Sequence, residues 1–309
     1  MKPNQALYKN KNFIYFFFAA LIGVVGEGIF GLTAIVLVLE STDSIVEIAK
    51  MQILTLVPSV LLAPFIGVLI DKFDKKKIAL ACNGLRFITI GIIPLSMYFG
   101  HFQVPVFYVS IFISYIIWFI LEPAKESILK EILSPEHYGQ GISLVQGAWQ
   151  IGLLSSALIA GVVMKYFGNG ETIFVSCLTY LIAGFLFSAM RLKKRVHFNP
   201  SKSIKLNQYA AEMKDGWKYI CKDTKTLYCV LATSMVLPFF YAINTLIAPF
   251  NYNILHGDSL TLGFIDSGAG IGSLLSAIIC LWLVRKQNYS LVITNSLFFR
   301  NFHLFILFN

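Results

Sequence analysis

The chain has 309 residues, 57% of them apolar and 13% charged, with a formal net charge of +9 and a mean hydropathy of +0.71. Soluble domains carry about 25% charged residues, which excludes a water-soluble globule. A transmembrane barrel alternates apolar and polar side chains, whereas here the apolar runs are continuous, so the expected class is all-α, a polytopic membrane helix bundle whose spans satisfy their own backbone hydrogen bonds.

Apolar runs of about 20 residues predict spans over 13–39, 48–70, 78–99, 104–121, 141–164, 172–190, 226–250, 261–284 and 290–308. The first run is too long for a signal h-region and lacks a small-residue cleavage site, so it reads as a span. Glu27 falls at its middle, among Gly23, Gly26, Gly28 and Gly31. A charge at the bilayer centre costs about 2.5–3.5 kcal/mol on insertion scales. Glu27 therefore either carries protons or touches substrate, or it belongs to a structural hydrogen bond or buried pair. Arg86, a third of the way along the third span, either snorkels or pairs with an acid.

The connection 122–140 is punctuated by Pro123 and Pro135, and Ser134-Pro135-Glu136 reads as a helix start. Next comes the longest polar interval, 191–225, opened by Arg191-Leu192-Lys193-Lys194-Arg195. It divides the chain into a six-helix half (1–190), a central loop (191–225) and an incomplete second half (226–309). Within the loop, Tyr209, Met213, Trp217 and Ile220 recur at helical spacing opposite Lys214, Lys218 and Lys222. That pattern describes either an interfacial helix, with Trp217 and Tyr219 at headgroup depth, or a solvated linker helix. Asp266 lies in the glycine-rich stretch 263–272 of the eighth span, where interface exposure and function are both open. Phe298-Phe299-Arg300-Asn301-Phe302-His303 interrupts the ninth.

With the N-terminus in the cytoplasm, only Lys50 and Lys165 of the 25 Lys and Arg residues fall outside, and Arg86 and Arg300 lie within spans. The positive-inside rule fixes that orientation. Basic residues beside spans face lipid headgroups, so membrane lipids rather than nucleic acid are the expected partners. Five cysteines are scattered without disulfide or metal spacing, and no histidines pair at ligand spacing. No phosphate-binding Gly-x-x-x-x-Gly-Lys-Ser/Thr loop occurs, which argues against ATP drive. Neither a nucleophile–base set nor a metal set is visible, so no enzyme, cofactor or metal is expected.

After Ala63-Pro64-Phe65-Ile66, the stretch Gly67-Val68-Leu69-Ile70-Asp71-Lys72-Phe73-Asp74-Lys75-Lys76-Lys77 leaves the second span. It closely resembles the loop signature between the second and third helices of the major facilitator superfamily. Gly26-Glu27-Gly28-Ile29-Phe30, Glu122-Pro123-Ala124-Lys125, Leu133-Ser134-Pro135-Glu136 and Lys214-Asp215-Gly216-Trp217 resemble its macrolide-efflux-like, drug-exporter branch. The resemblance implies twelve spans in two halves, against nine here, hence an apparent C-terminal truncation. It further implies secondary transport in a bacterial plasma membrane, with proton-coupled efflux of an amphipathic small molecule as the leading expectation. A lysophospholipid or siderophore carrier, or a truncated remnant that does not transport, is the alternative. Gly67, Asp71, Lys72, Lys75 and Lys76 are the implied conformational latch. Glu27 is the candidate for proton coupling or substrate contact, with Arg86 and Asp266 as possible intramembrane charge partners. Two departures stand against antiport: the fourth span has no arginine, and the fifth has no Gly-Pro pair.

Overall fold

A computed structural model describes residues 7, 9–192, 217–218 and 220–285. Its regular elements are helices: α1 (Lys11–Thr42), α2 (Ile45–Lys72), α3 (Lys75–Tyr98), α4 (Val104–Ile132), α5 (Pro135–Phe167), α6 (Asn169–Ala189), α7 (Thr224–Pro249), a π-helical turn (Phe250–Ile254) and α8 (Ser259–Arg285). Six of them are long and apolar enough to cross a membrane, namely α1, α2 as far as Ala63, and α3 to α6. The expected ninth span, 290–308 with Arg300, lies outside the described residues. So does most of 207–222, of which 217, 218 and 220–222 are helical and Trp217 is exposed.

Local chemistry sets the helix ends. The Asn10 side chain accepts from the N–H groups of Asn12 and Phe13 at the start of α1. Asp74 does the same for Lys76 and Lys77 of α3, and Asp223 for Thr226 of α7. Each satisfies donors that a first helical turn leaves orphaned. The expected connection 122–140 is helical for nearly its whole length: α4 continues through Pro123 to Ile132, and α5 begins at Pro135. The apolar face explains the difference, because Leu121, Ala124, Ile128 and Leu129 are buried in register. Their packing outweighs the single hydrogen bond that Pro123 removes.

Within the bundle, α1 packs on α5 and α6, α3 on α4 and α6, and α2 on α4. Lipid tails are as apolar as leucine, so close packing and polar contacts hold such helices together rather than the hydrophobic effect. One buried cluster (Phe13, Phe16, Ala79, Ile128, Phe187) lies towards the Lys75–Lys77 turn, which we call the basic end. Another (Phe30, Leu37, Ile48, Ile90, Phe107) fills the opposite end and includes Ala248 of α7 and Leu262 of α8. Large apolar side chains such as Val60, Leu61 and Phe185 are exposed on the outside of the bundle, as helix faces turned towards lipid would be.

The last two described helices meet the first six at the end opposite the basic turn. There α8 lies along α5 so closely that a Cβ on Gly263 would stand 2.7 Å from the Ala157 carbonyl oxygen and 3.1 Å from the Gly161 Cα. Ser267 donates to the Leu154 carbonyl at 3.3 Å, and Lys165 pairs with Asp258 at 2.8 Å. The Lys165 ammonium, then the Thr261 N–H and hydroxyl, hold the Asp258 carboxyl well below the usual carboxylate range. A lowered native value stabilises above the unfolded value of about 3.9 and fails only as pH falls through the native one. This clip therefore stays charged in mild acid.

Candidate functional site

Glu27 and Arg86 meet inside the bundle. Arg86 Nη2 and Glu27 Oε2 form an ion pair between α1 and α3, with the side chains 2% and 15% exposed respectively. Arg86 Nε donates to Ser114 Oγ of α4 at 3.2 Å, and its guanidinium lies 4.3 Å from the centre of the Tyr180 ring of α6. The Tyr180 hydroxyl donates to Glu27 Oε2 at 3.4 Å, and the Tyr115 hydroxyl also bonds that carboxylate. Four helices thus converge on one pair. Arginine suits the place, since its planar fork serves a carboxylate, a hydroxyl and an aromatic face together.

Small residues bring these helices close enough. A Cβ on Gly26 would overlap the Thr179 side chain, and one on Gly28 would overlap Ser156. Two of the glycines flanking Glu27 are thus filled by neighbouring helices, while Gly23 and Gly31 face open space among the described residues.

Towards the basic end the interior opens into two chambers. The deep one is bordered by Glu27, Arg86, Asn83, Trp118 and Tyr180 and leaves about 10 Å³ for the centre of a water molecule. The wider one offers about 210 Å³ between Phe16, Leu129, Tyr138, Ile142 and Gln146. Val24, Glu122, Lys125 and Trp149 line both and form their common wall.

The basic turn is built into the first six helices. Lys75 pairs with Glu131 of α4 at 2.8 Å. Lys76 Nζ donates to the Ser188 and Met190 carbonyls at 2.7 and 2.6 Å, satisfying acceptors that the end of α6 leaves open. Asp71 and Lys72 end α2, and their side chains lie outside the described residues. Beside Gly67 the space is open among the described residues, because α7 and α8 approach at the other end. Asp266 is half-buried on α8 and borders neither chamber. Among the described residues no cluster of three metal-ligating side chains occurs.

The arrangement missed by sequence reasoning is the surround of the pair: Ser114, Tyr115, Tyr180 and the wall residues Glu122 and Lys125. The chain has 14 tyrosines, and nothing in their spacing marks two of them as partners of Glu27. The available signal was indirect, since two opposite charges inside spans each require a polar partner.

The described residues thus form a helical bundle, six of whose helices are long and apolar enough to cross a membrane, with an ion pair beside internal chambers. A sequence profile of the Major Facilitator Superfamily matches residues 16–307, and the chain belongs to that family, whose members are multi-pass membrane transporters rather than enzymes. Over 240 residues it is 23% identical to a Bacillus subtilis protein described as an uncharacterized MFS-type transporter, YkuC, covering 76% of this chain and 54% of that one. It is 21% identical to macrolide efflux protein A of Streptococcus pyogenes over 281 residues, covering 90% and 68% respectively. The chain thus spans about half the length of the first relative. In structure it resembles a bacterial homologue of the human lysosomal transporter Spinster, solved in an inward-facing, unoccupied conformation, with a TM-score of 0.69 and 13% identity over 90% of this chain and 63% of that one.

Proposed function

We propose that this chain acts in proton-coupled export of an amphipathic small molecule across a cell membrane, with the basic end in the cytoplasm. The observation that carries the reading is the buried Glu27–Arg86 pair, reached from an internal chamber. A proton taken by Glu27 cancels its charge and loosens its hold on Arg86, which keeps Ser114 and the Tyr180 ring as partners. The helices carrying those groups then gain a second arrangement of similar energy, as alternating access requires. The likeness to macrolide efflux protein A supports export and an amphipathic cargo. With the basic end inside, the α5–α8 contact closes the outer side while the wide chamber faces the cytoplasm, a shape suited to loading from within.

The test is transport in proteoliposomes under an imposed proton gradient. Glu27→Gln is expected to abolish gradient-driven movement of a macrolide probe while preserving counterflow exchange, which needs no net proton movement. Undiminished driven transport by Glu27→Gln between pH 6 and 8 would rule out the coupling role.

Orientation has its own check. In a version with the five native cysteines replaced, single cysteines at Lys77 and Ser41, both exposed, should react with a membrane-impermeant thiol reagent from opposite sides of intact cells. Labelling of Lys77→Cys from outside would reverse the assignment.

A further inference from the structure

Four residues, Val24, Glu122, Lys125 and Trp149, line both chambers. The deep chamber leaves about 10 Å³ for a water centre, which is room for about one water molecule. The wide chamber leaves about 210 Å³, on the scale of an organic ligand group. Glu27 borders the deep chamber and not the wide one. Two of the four wall residues, Val24 and Trp149, offer no proton acceptor. The other two are Glu122 and Lys125, one turn apart on α4 and paired at 2.5 Å, with Lys125 12% exposed and Glu122 28%. An ammonium already holds its full set of protons. That leaves Glu122 as the carboxylate that touches both chambers among the described residues.

We infer that Glu122 relays protons between the cytoplasm-facing chamber and Glu27, with Lys125 as the residue that positions it. The inference rests on the coupling role proposed for Glu27. Each step balances. Glu122 takes a proton from a hydronium ion in the wide chamber, leaving water behind, and becomes neutral. It then gives one to the water in the deep chamber, which passes one to the Glu27 carboxylate, leaving Glu122 ionised and ready to repeat. The reverse order discharges Glu27. Lys125 holds the carboxylate at the wall and is released from its pair whenever Glu122 is neutral. The other titratable or charged groups bordering the two chambers are Glu27 from α1, Arg86 from α3, Glu126 from α4, Tyr138 from α5 and Tyr180 from α6. Of these, Glu126 reaches only the wide chamber, and Arg86, Tyr138 and Tyr180 offer no carboxylate.

A purely structural ion pair between neighbours on one helix takes no part in proton movement, so losing it would lower driven transport and counterflow alike. A relay predicts otherwise. In proteoliposomes of the full-length protein, Glu122→Gln should slow gradient-driven transport by about ten-fold or more, the scale of a lost acid–base group. Counterflow of the same macrolide probe should stay near the parent rate, which also shows that the variant is folded. Glu122→Asp, which keeps a carboxylate, should recover most of the driven rate. Lys125→Met should slow driven transport less than Glu122→Gln, because it leaves the carboxylate at the wall. Glu27→Gln serves as the reference in the same vesicles. If Glu27→Gln abolishes driven transport and Glu122→Gln matches the parent, the relay is overturned and the coupling reading stands. If Glu27→Gln also transports normally, both fall together. Equal losses of counterflow and driven transport in Glu122→Gln and Glu122→Asp would assign Glu122 to substrate handling and sink the relay.

Discussion

Arg86→Met is expected to be the most damaging single change inside the bundle. It leaves the Glu27 carboxylate facing two tyrosine hydroxyls without its guanidinium partner, in a chamber with room for about one water molecule. Breaking a buried pair by removing one partner costs about 3–5 kcal/mol, whereas removing both charges together is often close to neutral. The double variant Glu27→Gln with Arg86→Met should therefore melt at a higher temperature than Arg86→Met alone, despite carrying more substitutions. Thermal unfolding of the purified protein in detergent at neutral pH makes the comparison. If Arg86→Met melts with the parent, the pair is not the organising contact of the four helices.

Gly263→Leu should open the contact between α5 and α8. The atoms that a Cβ would meet there are the Ala157 carbonyl oxygen and the Gly161 Cα, at 2.7 and 3.1 Å. Both belong to backbone, which cannot rotate aside, so the helices must separate. Small residues on both helices allow this approach, and Ser259 reinforces it by donating to the Gly161 carbonyl at 3.5 Å. Cysteines placed at Lys165 and Asp258, whose native side-chain tips touch at 2.8 Å, should be joined by a short bifunctional maleimide in the parent background. With Gly263→Leu the yield should fall several-fold, and with Gly263→Ala by less. Equal yields in all three would show that the contact tolerates bulk and does not hold this end shut.

The helices were legible in the sequence because a bilayer imposes one requirement on every span, length with continuous apolarity, and among the described residues six helices drawn from the runs between 13–39 and 172–190 meet it. The ends were less so. Pro123 and Pro135 suggested an irregular connection, but the buried faces of Ala124 and Ile128 carry α4 through the first proline. Glu27 and Arg86 were each conspicuous as charges within spans. Their meeting depends on how α1 and α3 are rotated, which the packing of Gly26 and Gly28 against α6 and α5 decides and which no linear spacing encodes. The same holds for Lys76. Three adjacent lysines look interchangeable in sequence, yet Lys75 reaches Glu131, Lys76 reaches the end of α6, and the Lys77 N–H completes the Asp74 cap.

The near-continuous run of α4 into α5 bears on how the protein fits bilayers of different thickness. Helices of 29 and 33 residues measure about 44 and 50 Å at 1.5 Å per residue, against a hydrocarbon layer of about 30 Å. Even a tilt of about 40°, the upper end of those commonly seen, leaves the longer one reaching about 38 Å along the membrane normal. Part of this hairpin must therefore stand clear of the acyl chains, and the charges of Lys130, Glu131 and Glu136 assign the overhang to the basic end. In a thicker membrane a smaller tilt lets these long helices span the layer while that charged spur stays outside the acyl chains, where its charges are not costly.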